Sequence, residues 1–160
     1  QSNDDVSLIG YETLAAELAQ IPNLKAVFMG TSSGTTAQAL SQYFADNGLK
    51  IEFHIVQTSS CHELVNDFTN DPVIDEDSIA DAIVDRTATR KNALLKLIKE
   101  NGGNGWIASN EQILAAQEIT KKNTGIDIST NSALSVAGLM QAVYTGNIWD
   151  GAVACIICGD

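Results

Sequence analysis

The residues Gly30-Thr-Ser-Ser-Gly34-Thr-Thr have the makings of an anion cradle. They follow an apolar run of strand length, Ala26 to Met29, and precede a segment with Ala37, Leu40, Tyr43 and Phe44 on one helical face. Backbone N–H groups at a helix start are unpaired and sit at the positive end of the helix dipole. Small residues let a phosphate approach them, and hydroxyls add donors. Ser32, Ser33, Gly34, Thr35 and Thr36 are therefore candidate phosphate ligands. The same residues suit an ordinary strand-to-helix turn with a Ser or Thr cap, and taken alone they leave both readings open.

Other reactive side chains point to less. Cys155 and Cys158 form a C-x-x-C pair. On a strand, positions an odd number apart face opposite sides. There is also no second C-x-x-C to complete a zinc site, and the redox motif needs a helix N-terminus, so neither a metal site nor a redox couple is expected. His54 falls mid-strand and His62 in a loop, with no Gly-x-Ser-x-Gly elbow or His-Glu-x-x-His pattern nearby, and both read as core or surface histidines. Cys61 and His62 are adjacent, and adjacent side chains rarely converge as nucleophile and base. From Asn66 to Asp85 the chain is acidic, through Asp71, Asp75, Glu76, Asp77, Asp81 and Asp85. This stretch lacks the alternating ligands, central Gly and terminal Glu of a calcium loop, so it reads as a solvated helix face with Ile79, Ala82 and Ile83 turned inward.

Several function classes are excluded by composition. The 160 residues are 44% hydrophobic, enough for one globular domain with a two-faced core. Nine basic residues against twenty acidic leave a net charge of −11, and no basic cluster with interleaved aromatics occurs, which disfavours nucleic acid and anionic membranes as partners. No apolar run approaches the roughly 20 residues that span a bilayer, and the first residues do not resemble a signal peptide. Three cysteines do not make a secreted disulfide framework, so a cytoplasmic location is expected.

The elements that must position the cradle follow from apolar spacing. Gln1 to Val6 is polar and reads as a frayed end. Tyr11, Leu14, Ala15 and Leu18 predict a helix ending near Pro22, then a strand over Lys25 to Met29 and the cradle helix, stopped by Asn47-Gly48. A second strand is predicted over Ile51 to Gln57, an amphipathic helix over Arg90 to Glu100 capped by Gly102-Gly103, and a short strand at Trp106 to Ala108. Ser109-Asn-Glu-Gln112 has the form of a capping box for a helix to Lys122, closed by Gly125. Ser129 to Ser132 opens another helix carrying Leu134, Val136, Leu139, Met140 and Val143, and the final stretch, Ala152 to Asp160, reads as a strand buried on both faces. Strands alternating with amphipathic helices predict an α/β fold: a three-layer, doubly wound, mostly parallel sheet with helices on both faces. Ligands in such folds sit beyond the C-terminal strand ends, which brings the Gly30 loop and Cys158 to one edge.

Four stretches carry a resemblance that spans nearly the whole chain. Leu8-Ile-Gly10-Tyr-Glu-Thr13-Leu-Ala-Ala-Glu17 resembles a Gly-x-x-Thr-x-x-x-Glu helix opening, and Gly30-Thr-Ser-Ser-Gly34-Thr-Thr a Gly/Thr-rich phosphate loop. Gly125-Ile-Asp-Ile-Ser-Thr-Asn-Ser132-Ala133-Leu-Ser-Val-Ala137-Gly138-Leu139 is similar to a stretch ending in Ser-Ala-x-x-x-Ala-Gly-Leu, and Ile156-Ile157-Cys158-Gly159 to a closing strand with Ser, Thr or Cys before its Gly. Together, and in this order, they resemble the C-terminal half of the fold-type II pyridoxal-phosphate enzymes, the group of threonine synthase, the serine and threonine dehydratases, cysteine synthase and the tryptophan synthase β chain.

That resemblance implies pyridoxal phosphate as cofactor, with its phosphate on Ser32, Ser33, Gly34, Thr35 and Thr36 and its pyridine nitrogen facing Cys158. A neutral thiol there suits elimination and replacement at the β or γ carbon. The loop is poorer in glycine than the family's usual one, and Ser129-Thr130 stands where Glu-Pro is common. The family's Schiff-base lysine lies in a Ser-x-Lys motif upstream, and Lys25, Lys50, Lys91, Lys96, Lys99, Lys121 and Lys122 all lack that context. The resemblance thus implies that residues 1–160 are one α/β domain, the C-terminal part of a larger enzyme, without the catalytic lysine and inactive alone. The Ser132-Ala133 stretch and Val56-Gln57-Thr58-Ser-Ser-Cys61 lean toward a threonine synthase-like lyase, which loses phosphate from O-phosphohomoserine and adds water. A serine/threonine dehydratase or cysteine synthase-like enzyme is the alternative, and a non-catalytic phosphate-ligand-binding module the alternative of another class. The parent enzyme's partner is a small amino-acid substrate, and a homodimer is left open.

Overall fold

The computed structural model describes residues 6–69 and 77–158, with side chains from Leu8 onward. A short helix α1 (Val6–Ile9) and α2 (Glu12–Leu18) precede β1 (Leu24–Gly30) and α3 (Thr35–Asp46). Next come β2 (Glu52–Thr58), a single 3-10 turn (Asn66–Phe68), α4 (Lys91–Glu100), β3 (Gly105–Ala108), α5 (Asn110–Thr124), α6 (Thr130–Tyr144) and β4 (Ala152–Cys155). The α/β prediction holds: the four strands form one parallel sheet in the order β3-β2-β1-β4. Gln1 to Asp5 lie outside the described residues, whereas Val6, read as part of a frayed end, begins α1.

Side-chain alternation sorts the strands into two cores. Val27, Met29, Phe53 and Ile55 face one side, where Leu40 and Phe44 of α3 and Leu94 and Ile98 of α4 cover them. Ala26, Phe28, Val56, Trp106 and Ala108 face the other, under Ile113 and Ala116 of α5 and Ala133, Leu134 and Ala137 of α6. Phe28, Phe44 and Phe53 are wholly buried, each stabilising the fold by up to about 3 kcal/mol.

The helix starts follow their caps. Ser109 accepts from Gln112 N–H at 3.3 Å while Ser109 N–H donates to Gln112 Oε1 at 2.9 Å, completing the predicted capping box of α5. Ser129 caps α6 through Ser132 N–H, and Gly125 closes α5 in the left-handed region at φ 75°. Helix α6 sits close on the sheet because its facing residues are small. A Cβ added at Gly138 would lie 2.4 Å from Val56 Cγ2, and one added at Gly30 would lie 2.9 Å from Leu134 Cβ.

Two expectations fail. Among the described residues, strand β4 pairs on one side only, with β1, and its residues are half-buried rather than enclosed on both faces. An apolar run tells that a strand is buried in part; which strands flank it depends on topology. The acidic segment contains no helix among its described residues after Phe68. Asp71, Asp75 and Glu76 lie outside the described residues, and residues 77–90 run as an irregular strap. Ala80 and Ile83 are buried, but Ile79 is 38% exposed, so no continuous helical face forms. Polar side chains fasten the strap instead: Ile79 N–H donates to Asn110 Oδ1 at 2.9 Å, and Ala82 N–H to Asn131 Oδ1 at 3.0 Å. These anchors satisfy backbone groups that helical bonds would otherwise take.

Candidate functional site

The Gly30-to-Thr36 loop lies where β1 passes into α3, at the C-terminal edge of the sheet. Thr31 N–H continues the ladder to Val56 O at 3.0 Å, and the chain then leaves the sheet. Gly34 is the N-cap residue of α3, in the left-handed region at φ 82°, and supplies no side-chain cap bond. That geometry matters twice. An L side chain would be strained there, and a Cβ would lie 2.9 Å from Leu94 Cδ2 and 3.2 Å from Leu64 Cδ1. The first-turn N–H groups of α3 therefore face the loop mouth without a protein cap. Ser33 Oγ and Thr35 Oγ1 lie 3.1 Å apart, a hydrogen bond that joins the loop to the first residue of α3. The cradle fits an anion of phosphate size by the chemistry of its donors, all neutral N–H and O–H groups.

Ser32 is committed differently from its neighbours. Its Oγ accepts from Val84 N–H and from Asp85 N–H, both at 3.0 Å, which pins the strap across the loop. With its lone pairs engaged, its own O–H proton remains to donate. Arg86 donates to Ser60 O at 3.0 Å and Arg90 to Gln38 Oε1 at 3.1 Å, joining the strap and the start of α4 to the same rim.

Cys158 reaches the same edge. Ile156 N–H donates to Phe28 O at 2.9 Å, so the chain leaving β4 continues beside β1 toward Gly30. Cys158 is exposed, and its carbonyl accepts from Ser132 Oγ in the first turn of α6. The sequence-predicted grouping of the loop with Cys158 at one sheet edge is thus the arrangement found. No lysine stands within the loop: Lys25 is on β1, Lys50 precedes β2, Lys91, Lys96 and Lys99 are on α4, and Lys121 and Lys122 lie at the end of α5. Lys91 pairs with Asp67 at 3.2 Å and Lys121 with Asp127 at 2.9 Å.

The remaining reactive groups are structural. Burial and the neighbouring Glu63 push the Cys61 thiol up to about 12, which disfavours the thiolate, and His62 Nδ1 contacts Thr58 O at 3.2 Å rather than the Cys61 sulfur. Burial raises Cys155 to about 11. His54 is buried, stacked on Phe28 with ring centroids 4.3 Å apart. The Trp106 indole N–H donates to His54 Nδ1 at 3.2 Å; an indole can only donate, so the imidazole proton is on Nε2, facing Glu52 at 3.2 Å. Glu52 also accepts from Trp149 Nε1 at 2.7 Å. Desolvation holds the His54 pKa below its ordinary value, against the opposing pull of Glu52. This network stands at the opposite end of β2 from the loop. Sequence reasoning missed the side chain of Gln57, wholly buried at the loop end of β2; a lone amide in the apolar run Ile55-Val56-Gln57 was the available signal.

The sequence model described as "Pyridoxal-phosphate dependent enzyme" matches residues 1–159. The chain belongs to the pyridoxal-phosphate-dependent enzyme family. Its relatives in that family include the threonine synthase of Methanosarcina acetivorans, 36% identical over 89 residues, which cover 55% of this chain and 22% of the relative. The threonine synthase of Mycobacterium leprae is 26% identical over 168 residues, covering 99% of this chain and 46% of the relative. The solved structure of the processed form of threonine deaminase isoform 2 from Solanum lycopersicum shares the fold, with a TM-score of 0.77 at 16% identity over 95% of this chain and 45% of that one. The chain thus spans less than half the length of these relatives. Pyridoxal phosphate is the family's cofactor. No helix among the described residues is long and apolar enough to cross a membrane.

Proposed function

We propose that this chain is the cofactor-phosphate-binding part of a threonine synthase-like enzyme acting on a phosphorylated or hydroxylated amino acid, with the catalytic lysine contributed from outside these 160 residues. The observation that carries the reading is the α3 start, where a left-handed glycine cap without a side-chain bond leaves the helix N–H groups to an anion. The two threonine synthase relatives support the choice of parent enzyme. In this reading Ser33, Gly34, Thr35 and Thr36 hold the phosphate through N–H and hydroxyl donors, and Ser32 adds its O–H while carrying the strap. Cys158 faces the pyridine nitrogen and offers it only a weak thiol hydrogen bond. Pyridoxal phosphate, when bound, supplies an electron sink for carbanions beside an amino group. A dehydratase is the second reading, favoured by the Cys158-Gly159 pair.

The test is a pyridoxal-phosphate titration of the protein by absorbance and calorimetry, with a borohydride-reduced sample analysed by intact mass. Saturable binding to these 160 residues that is lost in Gly34→Asp or Thr35→Asp, without a covalent adduct, is the expected result. An adduct on one of the chain's seven lysines would overturn the placement of the catalytic lysine elsewhere. Absence of pyridoxal-phosphate binding by the full-length gene product would overturn the cofactor reading and favour a non-catalytic module that binds another phosphorylated ligand. In the full-length gene product, phosphate release from O-phosphohomoserine against dehydration of threonine separates the two enzyme readings.

A further inference from the structure

We propose that Gln57 is a positioning residue that aims the phosphate-binding loop by clamping its backbone to the end of β2. The inference rests on the phosphate-cradle reading and deepens it. Gln57 is wholly buried, and its amide makes two bonds. Leu64 N–H reaches Gln57 Oε1 at 2.8 Å, and Gln57 Nε2 donates to Ser32 O at 3.2 Å. The orientation of the amide is set by chemistry: Leu64 N–H can only donate, so the oxygen must face it and the nitrogen must face the Ser32 carbonyl.

Two consequences follow from elementary geometry. A trans peptide unit is planar, with its C=O and N–H pointing in opposite directions. Drawing Ser32 C=O toward the Gln57 amide therefore turns Ser33 N–H away from it, so the clamp sets the direction in which that donor points. The second bond fixes the floor of the loop. Leu64 packs beneath Gly34, where a Cβ would come within 3.2 Å of Leu64 Cδ1, so the clamp that holds Leu64 also holds the surface on which the left-handed cap rests. One side chain thus ties together the loop, its glycine and the chain beneath it. Of the near-isosteric side chains, methionine offers neither bond, and glutamate offers both only when protonated.

That last difference provides the test. The full-length gene product, with Gln57→Met and Gln57→Glu variants, is titrated with pyridoxal phosphate and separately with inorganic phosphate by calorimetry from pH 5 to pH 8.5. Each affinity is taken relative to the unaltered protein at the same pH, and folding is checked by circular dichroism at every pH. Gln57→Met should bind about tenfold more weakly at all pH values, as loss of two neutral hydrogen bonds to the loop would give. Gln57→Glu should approach the unaltered protein at low pH, where its carboxyl donates to Ser32 O. It should fall below Gln57→Met at high pH, where a carboxylate repels that carbonyl and the anion. Unchanged binding by Gln57→Met, or a flat relative profile for Gln57→Glu, would overturn the clamp while leaving the cradle intact. If the unaltered protein binds neither ligand, the cradle reading fails and takes the clamp with it.

Discussion

Cysteine chemistry in this chain is decided by environment rather than by spacing. Cys61 is buried beside Glu63, and desolvation and the neighbouring carboxylate push its thiol up to about 12, well above the pH at which thiols are ordinarily alkylated. Cys155 faces the α6 side of the sheet and is raised to about 11 by burial, whereas Cys158 stands exposed at the sheet edge. Iodoacetamide at pH 8, followed by peptide mass spectrometry, should label Cys158 well before Cys61 and Cys155, with all three reacting once the protein is unfolded in urea. Equal rates for Cys61 and Cys158 in the folded protein would contradict the buried, acid-flanked environment. Pyridoxal phosphate should slow Cys158 labelling if that side chain lies against the ring.

At the scale of elements, the cradle depends on how closely α6 approaches the sheet. Ala133, Ala137 and Gly138 form its inner face, and the first turn of α6 touches both Gly30 and the Cys158 carbonyl. Gly138→Ala would force a methyl to within 2.4 Å of Val56 Cγ2. The helix must then move or Val56 must repack, at a cost of about 1–3 kcal/mol. Equilibrium urea unfolding should show that loss, and cofactor affinity should fall with it because the α6 start shifts against Gly30. A variant as stable as the parent would mean that the α6 approach is looser than described. The strap is the other element on which the rim depends: Asn110 and Asn131, each in the first turn of its helix, accept its N–H groups, and Ser32 accepts two more.

On the scale of the whole molecule, the sheet is stitched by a polar chain running Trp106, His54, Glu52, Trp149, and this gives stability a pH dependence. Burial lowers the His54 pKa in the folded state, so between the ordinary imidazole value of about 6.5 and the folded value the unfolded chain binds more protons. The contribution is fully present above about pH 6.5 and is lost as the pH falls through that window. Urea midpoints should therefore drop between pH 7.5 and pH 5.5, and the His54 imidazole should titrate below 6.5 by NMR; a midpoint above 6.5 would refute the assignment. Much of the architecture was legible beforehand because it rests on near neighbours. The capping box of Ser109 and Gln112, the Gly125 stop and the apolar spacing of α3, α4 and α6 each involve residues within a turn or two of one another, and β1, β2 and β3 follow from local apolar runs. The candidate loop was legible for the same reason, as one contiguous stretch between a strand and a helix. The edge position of β4 and the unwound acidic strap were not, because each depends on which segment lies alongside. The same holds for Gln57, whose two bonds reach across 7 and 25 residues, and for the hold of Ser32 on Asp85, across 53. Sequence by itself determined the alternation of elements and the place of the candidate loop, since both are short-range properties of the chain. Tertiary structure alone decided how that loop is aimed and covered, since a hydrogen bond or a close contact exists only once distant segments have been brought within a few ångströms.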